Sequence, residues 1–253
     1  MAKKKRGSEK SQRKLLMVGP DAPFQYVEAY KSLRTNLEFL SASTGCKVIL
    51  ITSSVQEEGK SNVAVNLAST MASGGKRVVL VDSDLRKGSL SRYLHLSHNR
   101  PGISNIVAGQ ATLNDALVRF KNVQFTLLPV GPLPPNPSEM LSLPAVEQMF
   151  DTLREYYDYI IVDTPPVSVV TDAAVMCRMV DGVVLVVRSG VTTIQGAQLS
   201  KKKLEAVGAR ILGVVLNGYD ARRIGRRDGY SYAYSYSYYA GDDQSEDKKA
   251  TLS

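Results

Sequence analysis

Six short runs of aliphatic and β-branched residues divide the chain: KVILITS (47–53), RVVLVDSD (77–84), QFTLLPV (124–130), YIIVDT (159–164), GVVLVVR (182–188) and RILGVVLN (210–217). Each is apolar nearly end to end. That pattern predicts strands covered on both faces, as in parallel sheets. Between the runs, helices are predicted at about 60–73, 112–120, 144–156, 171–179 and 192–207. Another amphipathic helix is predicted within DAPFQYVEAYKSLRTNLEFL (21–40). There Asp21 can cap, Pro23 suits the first turn, and Val27, Tyr30, Leu33, Leu37 and Leu40 recur at helical spacing. The alternation of strand and helix predicts an α/β fold, a doubly wound and mostly parallel sheet spanning residues 20–220. GPLPPNPSEMLSLP (131–144) is too proline-rich for either element and reads as an ordered loop.

Chemistry gathers where the predicted strands end. TSSVQEEGKSNVAVNLA (52–68) follows an apolar strand and opens a helix, the setting that a phosphate-binding loop requires. Ser54, Glu58, Gly59, Lys60, Ser61 and Asn62 form the candidate nucleotide loop, with Ser54 in place of the usual first glycine. Backbone N–H groups and the helix N-terminus would cradle phosphate oxygens. Lys60 would reach the β- and γ-phosphates of ATP, and the Ser61 hydroxyl would meet Mg²⁺. A bare GKS arises often by chance, so the neighbouring strands matter. VVLVDSDLR (78–86) ends with Asp82 and Asp84 at period 2, on one side of the strand end, followed by Arg86. Two carboxylates that close require a cation or a shared proton. YIIVDTPP (159–166) ends with Asp163, where an acid serving Mg²⁺ is expected. A single Asp at a strand end is commonly a turn former. Three of them beside a strand–GKS–helix unit point to Mg-nucleotide binding at the carboxyl edge of the sheet.

Charge and the ends of the chain add a second theme. The net charge is +8 over 253 residues, and residues 1–14 hold Lys3, Lys4, Lys5, Arg6, Lys10, Arg13 and Lys14 against only Glu9. Residues 1–19 therefore read as a basic arm, either simply solvated or drawn to an anionic membrane surface. No reader motif accompanies the charge, so no nucleic-acid partner is expected. No stretch approaches the length of a membrane span and no secretory signal precedes the domain, so a cytoplasmic protein is expected. Cys46 and Cys177 read as reduced filler, and His95 with His98 makes a weak pair for metal. Residues 221–253 read as a flexible tail. It carries an arginine knot (Arg222, Arg223, Arg226, Arg227) and then Tyr230, Tyr232, Tyr234, Tyr236, Tyr238 and Tyr239. The tyrosine ladder taken alone fits an edge strand, a low-complexity tail or a substrate equally.

The variant loop, VDSDLR and VDTPP together resemble the bacterial tyrosine kinases of capsule and exopolysaccharide synthesis, P-loop proteins unrelated in fold to eukaryotic protein kinases. The resemblance covers nearly all of residues 15–239, tyrosine cluster included, and is closest to the separate-chain form found in Gram-positive bacteria. It implies ATP and Mg²⁺, with Lys60 on phosphate and Ser61, Asp82, Asp84 and Asp163 around the metal, Asp82 also serving as base for the tyrosine proton. It implies the six tail tyrosines as phosphoacceptors of neighbouring subunits in a ring, which phosphorylation would take apart. It implies a transmembrane, co-polymerase-like adaptor that activates the kinase and brings it to the membrane, and a role in setting polymer synthesis and chain length. Sugar-nucleotide enzymes would be outside substrates, and a tyrosine phosphatase a further partner. EAYKSLR (28–34) is similar to the family's subunit-contact motif, with Glu28 and Arg34 matching and Lys31 where arginine is usual; lysine lacks the bidentate fork. Gln56 and Glu57 replace a proline and a glycine common in the family's loop. Asn217 stands where relatives contact adenine, although a strand-ending turn residue reads the same way. The competing reading, a dimerising ATPase like the septum-site and partition proteins, calls for a lysine early in the loop, and SSVQEE (53–58) has none.

Overall fold

A computed structural model describes residues 16–97 and 100–219. The basic residues 3–14, His98, the arginine knot and the six tail tyrosines lie outside the described residues.

Seven strands form one sheet in the order β3-β4-β2-β5-β1-β6-β7. They are β1 (Val48–Ser53), β2 (Val78–Asp82), β3 (Val118–Arg119), β4 (Thr126–Leu128), β5 (Tyr159–Asp163), β6 (Gly182–Arg188) and β7 (Ile211–Asn217). All neighbours are parallel except β3 against β4. The helices are α1 (Phe24–Thr44), α2 (Lys60–Ser73), α3 (Ser89–Tyr93), α4 (Ile103–Val107), α5 (Leu113–Ala116), α6 (Pro137–Leu141), α7 (Pro144–Tyr156), α8 (Asp172–Met176) and α9 (Ile194–Ala206).

The near-continuous apolar runs do what the sequence expects, because strand residues alternate between two separate cores. Ile49, Ile51, Leu80 and Ile161 face a core shared with α1 and α2. Val48, Leu50, Val79, Val81, Ile160 and Val162 face the opposite core, with Phe150 and Leu153 of α7, Met176 of α8 and Leu204 of α9. Both faces of β1, β2 and β5 are buried throughout.

Four expectations need correction. The helix expected at 112–120 is a single turn. Thr112 and Asp115 close a capping box around α5, after which Leu117 is extended and Val118–Arg119 pairs with β4. Here strand pairing outweighs local helical spacing. The proline-rich loop contains α6, with Pro137 in its first turn, where a missing N–H costs nothing. The strand expected at 77–84 ends at Asp82, so Asp84 lies in the following turn. Finally, β7 is not covered on both faces by the described residues: it is one edge of the sheet, with Val214 60% and Leu216 52% exposed.

Candidate functional site

The carboxyl ends of β1, β2, β5, β6 and β7 open on a cavity of about 530 Å³. The loop from Ser54 to Gly59 joins β1 to α2, and Lys60 and Ser61 start that helix. Gly59 has φ +93, and a Cβ there would sit 2.0 Å from Nδ2 of Asn217. Glu57, unlike Gly59 a residue with a side chain, holds a left-handed φ of 68. The loop keeps its shape at a cost of about 1–3 kcal/mol for that residue.

The loop is braced from the β6–β7 side. Glu58 is wholly buried; its carboxylate accepts from the Val55 N–H at 2.8 Å and from the Thr192 hydroxyl. Asn217 Nδ2 donates to the Glu58 carbonyl at 2.8 Å, and Arg188 Nη1 donates to the Glu57 carbonyl at 2.9 Å. Glu58 therefore turns its side chain away from the cavity, leaving its backbone as the part that could face phosphate. Asn217 lines the cavity but is also a structural tie. Ser54 is buried, its hydroxyl without a hydrogen bond. Asn62 lines the cavity and accepts from the Tyr26 and Tyr30 hydroxyls at 2.8 and 3.3 Å. We expect Gly59→Ala to lower ATP affinity at least tenfold, since it combines left-handed strain of about 1–2 kcal/mol with displacement of Asn217. Calorimetric titration with nucleotide checks this.

Lys60 is the centre of the electrostatics. Its Nζ lies 3.4 Å from Asp84 Oδ2, 3.6 Å from Asp163 Oδ1 and 3.2 Å from Ser61 Oγ. Burial alone pushes its ammonium down, but Asp163, Asp84 and Asp82 together outweigh burial and raise it, so it stays charged. Asp82 and Asp163 are register partners on adjacent strands, about 4.8 Å apart along the backbone. Both are wholly buried. Burial, then Asp163 and Asp84, hold the Asp82 carboxyl well above its usual range. Burial raises Asp163 too, with Lys60 opposing.

The three carboxylates are not equivalent. Asp82 accepts from the Asp84 N–H at 3.2 Å and the Leu90 N–H at 3.1 Å, so both its oxygens are engaged in the backbone. Asp84, at the cavity wall, has Oδ1 buried without a hydrogen bond, and so do both oxygens of Asp163. Such unsatisfied buried carboxylate oxygens beside a serine hydroxyl are the hard donors that Mg²⁺ takes. Among the described residues no three acidic, histidine or cysteine side chains converge to grip an ion directly. Mg²⁺ commonly keeps several waters, so a site that reaches it partly through water fits these residues.

One element of the site had only a partial sequence signal. Arg86 follows the paired acids in sequence, but its partner could not be read there. Its Nε and Nη2 clasp the wholly buried Asp172 at 2.9 and 2.8 Å, and Nη2 also donates to Ser138 Oγ at 3.0 Å. This pair ties the turn after β2 to α6 and α8. On α1, Glu28 and Lys31 pair with each other at 2.7 Å, whereas Arg34 turns inward and donates to the Thr70 carbonyl at 3.1 Å. His95 sits on the turn after α3, with a left-handed φ of 55.

Comparison with known proteins places the chain in a family. A family profile described as an AAA domain matches residues 46–211. The tyrosine-protein kinase YwqD of Bacillus subtilis is 34% identical over 230 residues, covering 91% of this chain and 94% of its own length. The tyrosine-protein kinase CpsD of Streptococcus agalactiae is 32% identical over 190 residues, 75% of this chain and 82% of that protein. Among solved structures, the kinase domain of Escherichia coli tyrosine kinase ETK superposes with a TM-score of 0.73 at 37% identity, covering 76% of this chain and 74% of that one. On these matches, along most of its length, this chain belongs to the bacterial tyrosine kinases.

Proposed function

We propose that the chain transfers the γ-phosphoryl group of ATP to tyrosines of a neighbouring copy, principally Tyr230, Tyr232, Tyr234, Tyr236, Tyr238 and Tyr239. The observation that carries this reading is Lys60 held between Asp84 and Asp163 at the start of α2, beside an open cavity. In the reaction the phenolic oxygen bonds to the γ-phosphorus while the bond from that phosphorus to the bridging oxygen breaks, and ADP leaves. The phenolic proton passes to a carboxylate of the site. Phosphoryl transfer asks mainly for positioning and charge neutralisation, and Lys60 supplies a fixed cation for both. Bound Mg²⁺ would neutralise phosphate oxygens, with Ser61, Asp84 and Asp163 as its nearest donors. For Asp82 to receive the proton, one of its backbone contacts must give way or a water must relay; otherwise its role is to hold the turn that presents Asp84.

Because the tail follows β7 at the rim of the cavity, about fifteen extended residues give it a reach of roughly 50 Å, enough to enter a neighbour's site. On this reading the kinase works in a ring beside a transmembrane adaptor that activates it, holds it at the inner face of the membrane and couples it to capsule or exopolysaccharide synthesis. No helix among the described residues is long and apolar enough to cross a membrane. Purified chain incubated with Mg-ATP, alone and co-expressed with a candidate adaptor, should accumulate phosphotyrosine in residues 230–239 by mass spectrometry. ATP hydrolysis with those tyrosines unmodified under both conditions would overturn the reading.

A further inference from the structure

The cavity is asymmetric in charge. One wall comes from the β6–β7 end, with Arg188, Asn217 and Gly218; the other comes from the segment after β2. In the sheet these walls are separated by β5 and β1. The β2 wall presents Lys87 and Arg92, both exposed and both turned to neutral partners: Lys87 Nζ donates to Gln56 Oε1 at 3.1 Å, and Arg92 lies 5.6 Å from the Tyr93 ring centre. Arg86 beside them already answers the charge of Asp172. Lys87 and Arg92 therefore offer positive charge at the mouth where an acceptor must enter.

The tail has a matching polarity. Its arginines, Arg222 to Arg227, precede the tyrosines, and Asp242, Asp243, Glu246 and Asp247 follow them. Resting on the kinase reading above, we infer that Lys87 and Arg92 recognise acidic residues a few positions C-terminal to the acceptor tyrosine, so that the tail is phosphorylated from its C-terminal end toward Tyr230. Spacing sets the order. Tyr239 lies three residues before Asp242, roughly 10 Å in extended chain, whereas Tyr230 lies twelve before it, roughly 40 Å. Tyr238 and Tyr239 reach the phosphoryl donor with the least slack chain to fold back while the aspartates rest on the wall, and this puts them first. Each phosphate placed there adds about −1.5 to −2 charges. It then serves as the acidic anchor for the tyrosine two positions earlier, and the relay proceeds by repetition. The arginine knot is repelled by the same wall, which disfavours threading in the opposite sense.

The test uses the full chain with its six tail tyrosines changed to Phe, Mg-ATP, and three synthetic peptides. These are residues 229–241, residues 229–247, and residues 229–247 carrying D242N, D243N, E246Q and D247N. Peptide affinity is measured without nucleotide by fluorescence anisotropy, and kcat/KM is measured with it. The acidic peptide should lead both others about tenfold in affinity and kcat/KM, as two or three exposed ion pairs allow. That lead should shrink in high salt, where exposed charges are screened. Lys87→Gln with Arg92→Gln should erase the lead. In the unaltered chain, a time course should show phosphate first on Tyr238 or Tyr239. Equal affinity and rate for all peptides, or first modification at Tyr230 or Tyr232, would overturn this inference and leave the kinase reading standing. Acid-dependent binding with no peptide ever phosphorylated would overturn the kinase reading and the order of phosphorylation with it, leaving only the recognition of acidic residues by Lys87 and Arg92.

Discussion

Replacing Lys60 with Met is expected to lower phosphotyrosine formation at least about a thousandfold. The side chain is a cation set among three buried carboxylates, and fixed charges at a developing phosphoryl transition state are worth factors of that size. The same change should have an unexpectedly mild effect on folding. Breaking a buried ion pair typically costs about 3–5 kcal/mol because a bare charge remains. Here the carboxyls of Asp82 and Asp163 already stand above their usual range, so on losing Lys60 they take up protons instead of remaining charged. Thermal unfolding without nucleotide should therefore shift by less than that broken-pair figure implies, and the loss should be smaller at pH 5 than at pH 8. Retention of more than a tenth of the activity would show that Lys60 does not neutralise the transferring phosphate.

Replacing Asp163 with Asn should separate stability from activity in opposite directions. In the unfolded chain its carboxyl titrates near the ordinary value of about 4. Folding raises it, so between those values the native state binds more protons than the unfolded one. The stability this site contributes is complete below about pH 4 and falls as pH rises through the raised native value. Asn keeps the shape and removes the charge. Lys60 holds one oxygen of Asp163 at 3.6 Å, an attraction that burial outweighs, and the register partner Asp82 is relieved of repulsion. The nucleotide-free variant should gain about 1 kcal/mol or more at pH 8, some 2–4 °C in Tm for each kcal/mol, and much less at pH 4. Activity should fall at least a hundredfold, as a donor for the Mg-nucleotide is lost. Asp82→Asn makes the informative contrast. Its amide would set an N–H₂ group against the N–H of Asp84 or Leu90, so its relief from charge is offset by a lost hydrogen bond. Equal destabilisation of Asp163→Asn at both pH values would contradict the electrostatic account.

The layered fold was legible because its central strands are buried on both faces, and such strands read as unbroken apolar runs. That Lys60, Ser61 and the three aspartates meet at one edge of the sheet was legible because the strand–loop–helix pattern fixes where each of them stands. What stayed hidden depends on distant partners. Nothing near Asp172 in sequence announces a wholly buried acid, since Arg86 stands 86 positions away. The Glu58 side chain reads as part of the loop, yet it serves Val55 and Thr192, the latter 134 positions off. The segment 112–120 carries helical spacing, but Val118 gains more by pairing beside Leu127 than by extending one turn. The prolines of 131–144 read as a veto on helix, yet two of them, Pro137 and Pro144, stand in first-turn positions and start α6 and α7. The open face of β7 was invisible because an edge strand and a central one can have the same composition, and only the sheet order tells them apart.

Asn217, Arg188 and Thr192 fasten the loop between β1 and α2 to the far strands through the protein's own hydrogen bonds. Nucleotide thus meets a preorganised cradle, and the entropy of ordering the loop is settled once, as the chain folds. Turnover can then be repeated without rebuilding the receptor each time, so the slow, selective step is left to whichever acceptor segment arrives.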